Sequence, residues 1–274
     1  MAIPMRILIV SGSRADLGLL HCPEKVLRED GHQVYLLRLS ASNYHDAMRQ
    51  LGVWPICDML LLLGDRFEIM AAATLAHLQR IPIAHIGGGD VTEGSYDDAM
   101  RDCISRMATI HFTTSFSSTA RLVALGYRNV HLVGNPAVDY IMREPWQRER
   151  EIAEPYVLVS YQPETIDDTV NLAAVEEAIA GRKALWVAPN PDRGSDRIPA
   201  SESYSHDRFL NLMYYCTEFI GNSSAMFYEA PFLKPGGVKC RVIDKRQRGR
   251  VIPWGGDGKC SERIRDVLRL WPAS

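Results

Sequence analysis

Charged side chains stand directly after two apolar runs in the first half of the sequence. The run 59–63 leads into Gly64-Asp65-Arg66-Phe67-Glu68, and the run 82–86 includes His85 and leads into three glycines and Asp90. Carboxylates and imidazoles are the groups that most often transfer protons in enzymes. The candidate acid and base groups that follow from this pattern are Asp65, Glu68, His85 and Asp90.

Each of these residues also has a structural interpretation. An aspartate after a strand, such as Asp65, is often a helix cap. His85 could be a core histidine whose nitrogens are satisfied by the backbone. The acidic residues within 90–98 could form the solvated start of a helix, stabilised by the helix dipole. Gly87–Gly89 could make a tight turn rather than a surface for close approach of a ligand.

A second group of polar residues, in the C-terminal half, has the types that bind phosphate. Residues 221–231, Gly-Asn-Ser-Ser-Ala-Met-Phe-Tyr-Glu-Ala-Pro, place hydroxyl side chains at a strand-to-helix junction, where free N–H groups and the helix dipole favour anions. The turn 244–250 carries four cations, which suit the neutralisation of a diphosphate. The structural alternatives are a plain N-cap at Ser223 or Ser224 and a solvated basic loop.

Strands and helices must bring these residues together. Along the chain, short apolar runs alternate with patterns typical of helices. Such alternation predicts parallel sheets with helices on both faces, and ligands bind such sheets at the carboxyl ends of the strands. The predicted strands are 6–10, 33–39, 59–63, 82–86, 110–113, 130–133, 156–161, 184–188, 218–220 and 239–243. The predicted helices are 17–30, 67–79, 97–107, 168–180, 208–216 and one that begins at Ser224.

The length of 274 residues fits two domains of ordinary size. The charged stretch 142–155 carries prolines near both ends and has no strand pattern, and the alternation restarts after it. The predicted domains are therefore 1–148, for the sugar and the catalytic groups, and 149–274, for the nucleotide. The expected fold class is α/β, with two doubly wound, Rossmann-like domains facing each other across a cleft.

Composition argues against several classes of protein. A net charge of −2 does not suit a surface built for nucleic acid. Six scattered cysteines have neither a disulfide-framework nor a zinc spacing, which indicates a reducing compartment. Ser11-Gly-Ser-Arg lacks the third glycine of a dinucleotide-binding turn, so a redox cofactor is not expected. Because there is no signal-peptide pattern and no apolar run near ~18 residues, we expect a cytoplasmic protein without a membrane span.

Ten motifs follow one another in an order that is typical of one family. They are 11–16 (Ser-Gly-Ser-Arg-Ala-Asp), 64–68, 85–98, Arg101, 111–112, 134–139, 189–195, 222–224, 229–231 and 246–250. In this order they resemble the hydrolysing branch of the UDP-N-acetylglucosamine 2-epimerases, over nearly the whole chain. The resemblance implies the two-domain fold that this family shares with the GT-B class of glycosyltransferases.

The resemblance also implies a reaction and a set of roles. In that family a base removes the proton at C2 of the sugar, UDP leaves by elimination, and water adds to the glycal to give free N-acetylmannosamine. Asp65 and Asp97 match the acidic positions, Arg14 would contact phosphate, and Glu229 would bond the ribose hydroxyls. The residues expected to bind UDP and its diphosphate are Arg14, Asn190, Asn222, Ser223, Ser224, Glu229, Arg246, Gln247 and Arg250.

Three positions depart from the family pattern. Gly87 stands where a Glu or a His is common, Gln162 where a His precedes the proline, and Asp102 where a His follows the arginine. Glutamine cannot titrate. This chain therefore has fewer acid and base residues than the family pattern, whereas the residues expected to bind the nucleotide match that pattern. The residues that could take over the lost roles are Asp90, Glu93, Asp102 and His111.

Three hypotheses follow. The first is a hydrolysing UDP-N-acetylglucosamine 2-epimerase that releases UDP and an N-acetylmannosamine-type sugar. The second, favoured by Gly87 and Gln162, is a glycosyltransferase that passes the sugar to an acceptor, for instance a modified nucleic-acid base. The third is a UDP-sugar-binding protein without catalysis. Neither a metal nor a cofactor is expected, because the basic turn can supply the counter-charge of the diphosphate. The expected partners are the UDP-sugar, an acceptor under the second hypothesis and, by analogy with the family, a second copy of the chain.

Overall fold

The computed structural model describes residues 4–52, 54–167, 169–190, 193–199 and 202–271, with the backbone alone at Arg14 and Ala15. The chain divides into two compact units. The first unit is made of Met1–Asp90, Asp97–Met142 and Pro253–Ser274, and the second of Val91–Tyr96 and Arg143–Ile252. Within the described ranges, no helix is both long and apolar enough to cross a membrane.

A parallel sheet of six strands forms the centre of the first unit. The strands are β1 (Arg6–Ser11), β2 (Gln33–Arg38), β3 (Met59–Leu63), β4 (Ile83–Ile86), β5 (Ile110–Thr113) and β6 (Val130–Leu132). Their order in the sheet is β2-β1-β3-β4-β5-β6, and every pair is parallel. The winding direction reverses between β1 and β3, and this switch point is where open parallel sheets bind ligands.

A smaller parallel sheet forms the centre of the second unit. The strands are β7 (Val157–Ser160), β8 (Ala184–Trp186), β9 (Glu218–Gly221) and β10 (Cys240–Val242). Their order is β10-β9-β7-β8, again with every pair parallel. The switch point of this sheet lies between β7 and β9. The predicted class, α/β with two parallel sheets, is confirmed.

Helices connect these strands, and several begin where a side chain caps them. In the described ranges they are α1 (Arg14–Glu29), α2 (Tyr44–Gln50), α3 (Phe67–Leu78), α4 (Asp97–Met107), α5 (Phe116–Ala124), α6 (Pro136–Arg143), α7 (Leu172–Ile179), α8 (His206–Tyr215), α9 (Ala225–Tyr228) and α10 (Cys260–Arg269). The Ser13 hydroxyl accepts from the Asp16 N–H at the start of α1, and the Ser115 and Ser205 hydroxyls cap α5 and α8 in the same way.

The helix α10 belongs to the first unit, although it is distant from that unit in sequence. Cys260, Ile264 and Leu268 form one apolar face of α10 and pack in the same buried cluster as Ile7 of β1. The carboxylate of Asp139 caps α10, because it accepts from the N–H groups of Cys260 at 3.0 Å and Ser261 at 2.6 Å. This apolar face and this cap explain why α10 folds with the first sheet.

The observed units differ from the predicted domains 1–148 and 149–274. Residues 253–274 group with the first unit, the segment 91–96 groups with the second, and the main boundary lies between Met142 and Arg143. The sequence pattern showed where the alternation restarts. It could not show that α10 packs back on the first sheet.

Most predicted elements match the observed ones to within a few residues. The predicted strands 59–63 and 110–113 and the helix 97–107 coincide with β3, β5 and α4. The helices α2, α5, α6 and α10 were not predicted, and α9, predicted from Ser224, is only one turn of four residues. Three of the missed helices, α2, α5 and α6, span seven to nine residues, which is too short for a clear periodic pattern.

Candidate functional site

A buried arginine binds acidic residues that follow β3 and β4 in the sequence. Arg101 of α4 is 2% exposed. Its guanidinium donates to the carboxylates of Asp65 and Asp98 and, at 2.7 Å, to the carbonyl oxygen of Asp90. The Asp65 side chain nevertheless keeps 20% of its surface exposed. The planar guanidinium therefore fixes Asp65 at the carboxyl end of β3 with one side open to solvent.

Asp97, the other leading candidate for proton transfer, is the first residue of α4. It is half-buried and directly precedes Asp98, the second carboxylate that Arg101 holds. Two carboxylates in the first turn of a helix are stabilised by the helix dipole. The structure thus places Asp97 in the same helical turn as a fixed partner of the Arg101 guanidinium.

Glu68 lies in a second charged group, at the switch point of the first sheet. The Arg66 guanidinium contacts both Glu68 oxygens at 3.2 Å. Asp16, from the start of α1, accepts from the Gly12 N–H at 3.1 Å. A Cβ at Gly12 would lie 3.1 Å from the Glu68 Cβ, which is a tight contact, so glycine at this position lets the turn after β1 lie close to Glu68.

Burial sets the protonation behaviour of this pair of carboxylates. Burial raises the pKa of Glu68, and the Arg66 guanidinium opposes the shift only in part. The pKa of Asp16 is raised for the same reason, again against the opposing charge of Arg66. Carboxyl groups with raised pKa values at a switch point are typical of functional sites.

The environment of His85 does not suit proton transfer near neutral pH. The imidazole is fully buried, with Nε2 2.8 Å from the Gly64 carbonyl oxygen and Nδ1 3.1 Å from the Ser105 hydroxyl. Burial lowers its pKa to about 4, and the hydrogen bond to the carbonyl offsets this only in part. These contacts favour the structural interpretation of His85, and its predicted role in proton transfer stays a prediction.

The carboxylate of Asp90 also has a structural environment. It is 8% exposed. It accepts from the Thr114 hydroxyl at 2.9 Å and from the Ser118 hydroxyl at 2.5 Å. These bonds attach the end of the glycine run to the loop after β5 and to α5, so the geometry favours the structural interpretation of Asp90 over a catalytic one.

Amide side chains join the loops at the carboxyl end of the second sheet. Asn222, fully buried after β9, accepts from the Gln162 N–H at 2.7 Å and donates to the Gln162 carbonyl at 2.8 Å. The Gln162 side chain accepts from the Asn190 N–H at 2.8 Å. The Gln247 amide donates to the Asn222 carbonyl at 2.9 Å. The loops after all four strands are thereby tied together, and Gln162 is a bracing residue in this network.

The hydroxyl and carboxylate candidates surround the short helix α9. The Ser223 hydroxyl accepts from the Ala225 N–H at 3.3 Å, whereas Ser224 is exposed and its hydroxyl makes no cap bond to α9. Glu229 follows α9, is 7% exposed, and has a carboxylate oxygen 3.9 Å from His206 Nε2. Ser224 is therefore an exposed hydroxyl residue at the loop end of β9.

The basic turn 244–250 contains two arginines that are built into the second unit. Arg246 is 7% exposed and donates from its side chain to the Pro163 carbonyl. Arg250 donates to the Thr92 hydroxyl and, at 3.5 Å, to the Tyr228 hydroxyl. The other two cations, Lys245 and Arg248, are more than half exposed. The solvated-loop interpretation therefore fits only half of the cations in this turn.

Several residues of these networks were not predicted as site residues. Asp16, Asp98 and Arg101 stand inside motifs that the sequence analysis quoted, and the contacts of Asp16 with Gly12 and of Asp98 with Arg101 are local in sequence. The ion pair of Arg101 with Asp65, by contrast, joins residues 36 positions apart. A polar residue directly after β1, such as Asp16, could have been found from its position at the switch point. The side chain of Arg14, predicted to contact phosphate, lies outside the described part of the chain. Among the described residues, no cluster of three or more His, Cys, Asp or Glu side chains could hold a metal ion.

Comparison with known proteins gives a consistent result. A family model described as UDP-N-acetylglucosamine 2-epimerase matches residues 53–254. A Campylobacter jejuni protein named GDP/UDP-N,N'-diacetylbacillosamine 2-epimerase (hydrolyzing) is 26% identical over 246 residues, which cover 78% of this chain and 62% of that protein. A Neisseria meningitidis protein named UDP-N-acetylglucosamine 2-epimerase is 28% identical over 221 residues, which cover 70% of this chain and 57% of that protein. This chain thus spans less than two thirds of the length of these two relatives.

Solved structures share the fold. The structure of Methanocaldococcus jannaschii UDP-GlcNAc 2-epimerase, in complex with UDP-GlcNAc and UDP, matches with a TM-score of 0.71 and 16% identity. The match covers 98% of this chain and 95% of that one. At this identity the likeness bears on the fold.

Proposed function

Because this chain belongs to the UDP-N-acetylglucosamine 2-epimerase family, we propose that it is a hydrolysing 2-epimerase. Its substrate would be a UDP-activated 2-acetamido sugar, and its products UDP and the free sugar inverted at C2. The observation that carries the proposal is the group of carboxylates around Arg101 and Arg66 at the carboxyl end of the first sheet. A reaction that moves protons needs such carboxylates, held in place and partly open to solvent.

The proposed reaction has two steps whose atoms balance. In the first, a base takes the proton from C2, the C–H electron pair becomes the C1–C2 double bond, and the C1–O pair leaves with UDP. In the second, water adds across the double bond, with its hydroxyl on C1 and a proton on C2 from the opposite face. The net change is one water consumed and one UDP released.

We assign the proton transfers to carboxylates of the first unit. Asp65 and Asp97 would exchange protons with C2, since Asp65 is held by Arg101 and Asp97 lies next to Asp98, which Arg101 also holds. Glu68, whose pKa burial raises, is suited to hold a proton that a leaving group or a carbanion needs. Arg101 would position Asp65 and would not itself exchange a proton, because a guanidinium stays charged.

We assign nucleotide binding to the second unit. The Ser224 hydroxyl and the side chain of Arg250 would meet the diphosphate, and the buried carboxylate of Glu229 would accept from the ribose hydroxyls. The amide network around Asn222 would keep these loops in one arrangement before the ligand arrives, which lowers the entropy cost of binding. UDP alone should therefore bind measurably.

The proposal is tested by isotope incorporation during turnover. The chain is incubated in D2O with UDP-N-acetylglucosamine or with UDP-N,N'-diacetylbacillosamine, and released UDP and deuterium at C2 are measured by NMR and mass spectrometry. The expected result is release of UDP together with a free sugar that carries one deuterium at C2. The same assay with EDTA present tests whether a divalent cation is needed.

Matched variants connect this result to the assigned residues. Asp65→Asn and Asp97→Asn should lower the rate of UDP release by about 100-fold or more, the scale of a general acid or base. Asp266→Asn is the control, because Asp266 is an exposed carboxylate of α10 that pairs with Arg265 at 2.7 Å and has no assigned role in the reaction. UDP release without deuterium at C2 would contradict the proposal and indicate simple hydrolysis of the UDP-sugar. UDP release that occurs only with an acceptor present would indicate sugar transfer instead. UDP binding without turnover on either sugar would leave a binding protein.

A further inference from the structure

The segment that connects β4 to α4 packs with the second unit, although β4 and α4 both belong to the first. Its residues Val91–Tyr96 group with the second unit. The Glu93 N–H donates to the Arg248 carbonyl at 3.0 Å, as a single antiparallel bridge. The Ser95 hydroxyl lies 3.2 Å from the Thr165 hydroxyl, which also accepts from the Tyr96 N–H at 3.3 Å. We call Val91–Tyr96 the connecting segment.

Two glycines allow the connecting segment to lie directly on the basic turn. Gly94 has a φ of +83°, and a Cβ there would lie 2.9 Å from the carbonyl carbon of Lys245. Gly249 has a φ of +78°, and a Cβ there would lie 3.0 Å from a methyl group of Val91. A side chain at Gly94 would push the two backbones apart, and one at Gly249 would crowd the side chains of Val91 and Glu93. The contact is therefore built into both partners.

Thr92 contacts Arg250, the arginine of the basic turn to which diphosphate binding is assigned above. Thr92 is 4% exposed, and its hydroxyl accepts from the Arg250 guanidinium. The guanidinium also lies over the Tyr228 ring, 5.6 Å from its centre. Thr92 and Tyr228 thus both contact the Arg250 guanidinium and help to fix its plane. A guanidinium binds phosphate through donors in a fixed plane, so its orientation decides how well it binds.

We infer that Thr92 is a positioning residue for the diphosphate of the nucleotide, acting through Arg250. The inference rests on the proposed function, in which Arg250 meets the diphosphate. Arginine side chains lose much rotamer freedom when they bind a ligand. Thr92 holds Arg250 in its binding orientation beforehand, so that this entropy is lost during folding and not during binding.

The test compares nucleotides with and without phosphate. Binding of UDP and of uridine is measured by isothermal titration calorimetry for the wild type, Thr92→Val and Thr92→Ser. Thr92→Val should weaken UDP binding about tenfold, the scale of one hydrogen bond to a charged group. It should leave uridine binding unchanged, because uridine offers nothing to Arg250. Thr92→Ser keeps the hydroxyl and should bind UDP within about threefold of the wild type.

Thr217→Val is the matched control in the same unit. The Thr217 hydroxyl donates to the Tyr156 carbonyl at 2.8 Å, at the opposite end of the second sheet. The control loses the same chemical group and should bind UDP like the wild type. If the wild type and Thr92→Val bind UDP with equal affinity, the inference about Thr92 is refuted, while the proposed function is not affected. Equal weakening of UDP and uridine would also overturn it, since the damage would then not concern the phosphates.

A double-mutant cycle with Arg250→Ala separates an effect through Arg250 from a general effect on the loop. If Thr92 acts through Arg250, Thr92→Val should change UDP affinity less than twofold in the Arg250→Ala background. A full tenfold effect in that background would refute the inference. A wild type that does not bind UDP at all would refute the proposed function itself, which distinguishes the two failures.

Discussion

The buried His85 should make the first unit sensitive to acid. Its pKa is lowered from 6.5 to about 4, chiefly by burial. Between these values the unfolded chain binds a proton at this imidazole and the folded chain does not. The stabilising contribution is therefore fully present above pH 6.5 and is lost progressively as the pH falls towards about 4. The difference corresponds to about 3 kcal/mol, at about 1.36 kcal/mol per pKa unit.

The substitution His85→Asn isolates this contribution from other titrating groups. Asparagine is small enough for the site, can keep a hydrogen bond to the Ser105 hydroxyl, and does not titrate. At pH 7.5 we expect the variant to be less stable than the wild type, because the bond to the Gly64 carbonyl is lost. Towards pH 4.5 the free-energy difference should shrink by up to about 3 kcal/mol, because only the wild type has the His85 imidazole, whose neutral form folding requires.

The measurement is urea unfolding followed by circular dichroism at steps of pH, for both proteins. The imidazole C–H resonance of His85, assigned by its absence from the variant, gives the pKa in the folded state directly by NMR. Burial lowers the pKa of His111 to about 4 as well. Because His111 is present in both proteins, its contribution to the pH dependence cancels in the comparison. Stability curves of wild type and variant that run parallel, or a His85 resonance that titrates near 6.5, would refute the reasoning.

Three further predictions concern single side chains. Glu68→Gln removes the carboxyl group whose pKa burial raises, so kcat for UDP release should fall about 100-fold with unchanged UDP affinity; an unchanged kcat would exclude proton transfer by Glu68. Arg101→Lys cannot reproduce the planar fork that holds Asp65, so kcat should fall at least about tenfold in steady-state assays, and wild-type turnover would contradict the positioning role. Asp139→Ala removes the cap of α10 and should lower the free energy of unfolding by about 2 kcal/mol, as measured in urea; a loss below about 0.5 kcal/mol would show that α10 does not need this cap.

The strands of the first sheet could be predicted because their burial leaves a local signal. The runs at 6–10 and 59–63 are apolar without alternation, as expected of strands that helices cover on both faces, and they became β1 and β3. The polar residues directly after such runs were also identified, because the carboxyl ends of parallel strands meet at one edge. Asp65 and Asn222 lie at these ends in the structure.

The partners of the polar groups could not be predicted, because they come from distant parts of the chain. Asp90 is bonded by hydroxyls that lie 24 and 28 residues away in sequence, and nothing near Asp90 distinguishes such a carboxylate from a catalytic one. His85 presents the same difficulty with Gly64 and Ser105. The spacing of Cys260, Ile264 and Leu268, by contrast, is a helical signal that was available in the sequence.

The docking of α10 on the first unit imposes an order on folding during synthesis. The bond from Asp139 to the N–H of Cys260 joins residues 121 positions apart, and the whole stretch Arg143–Ile252 leaves the ribosome between them. A nascent chain that has completed β6 therefore still lacks the three apolar side chains that cover Ile7. The buried cluster around Ile7 is therefore incomplete until α10 has been synthesised, and in that interval its uncovered apolar side chains are a surface that a chaperone can protect.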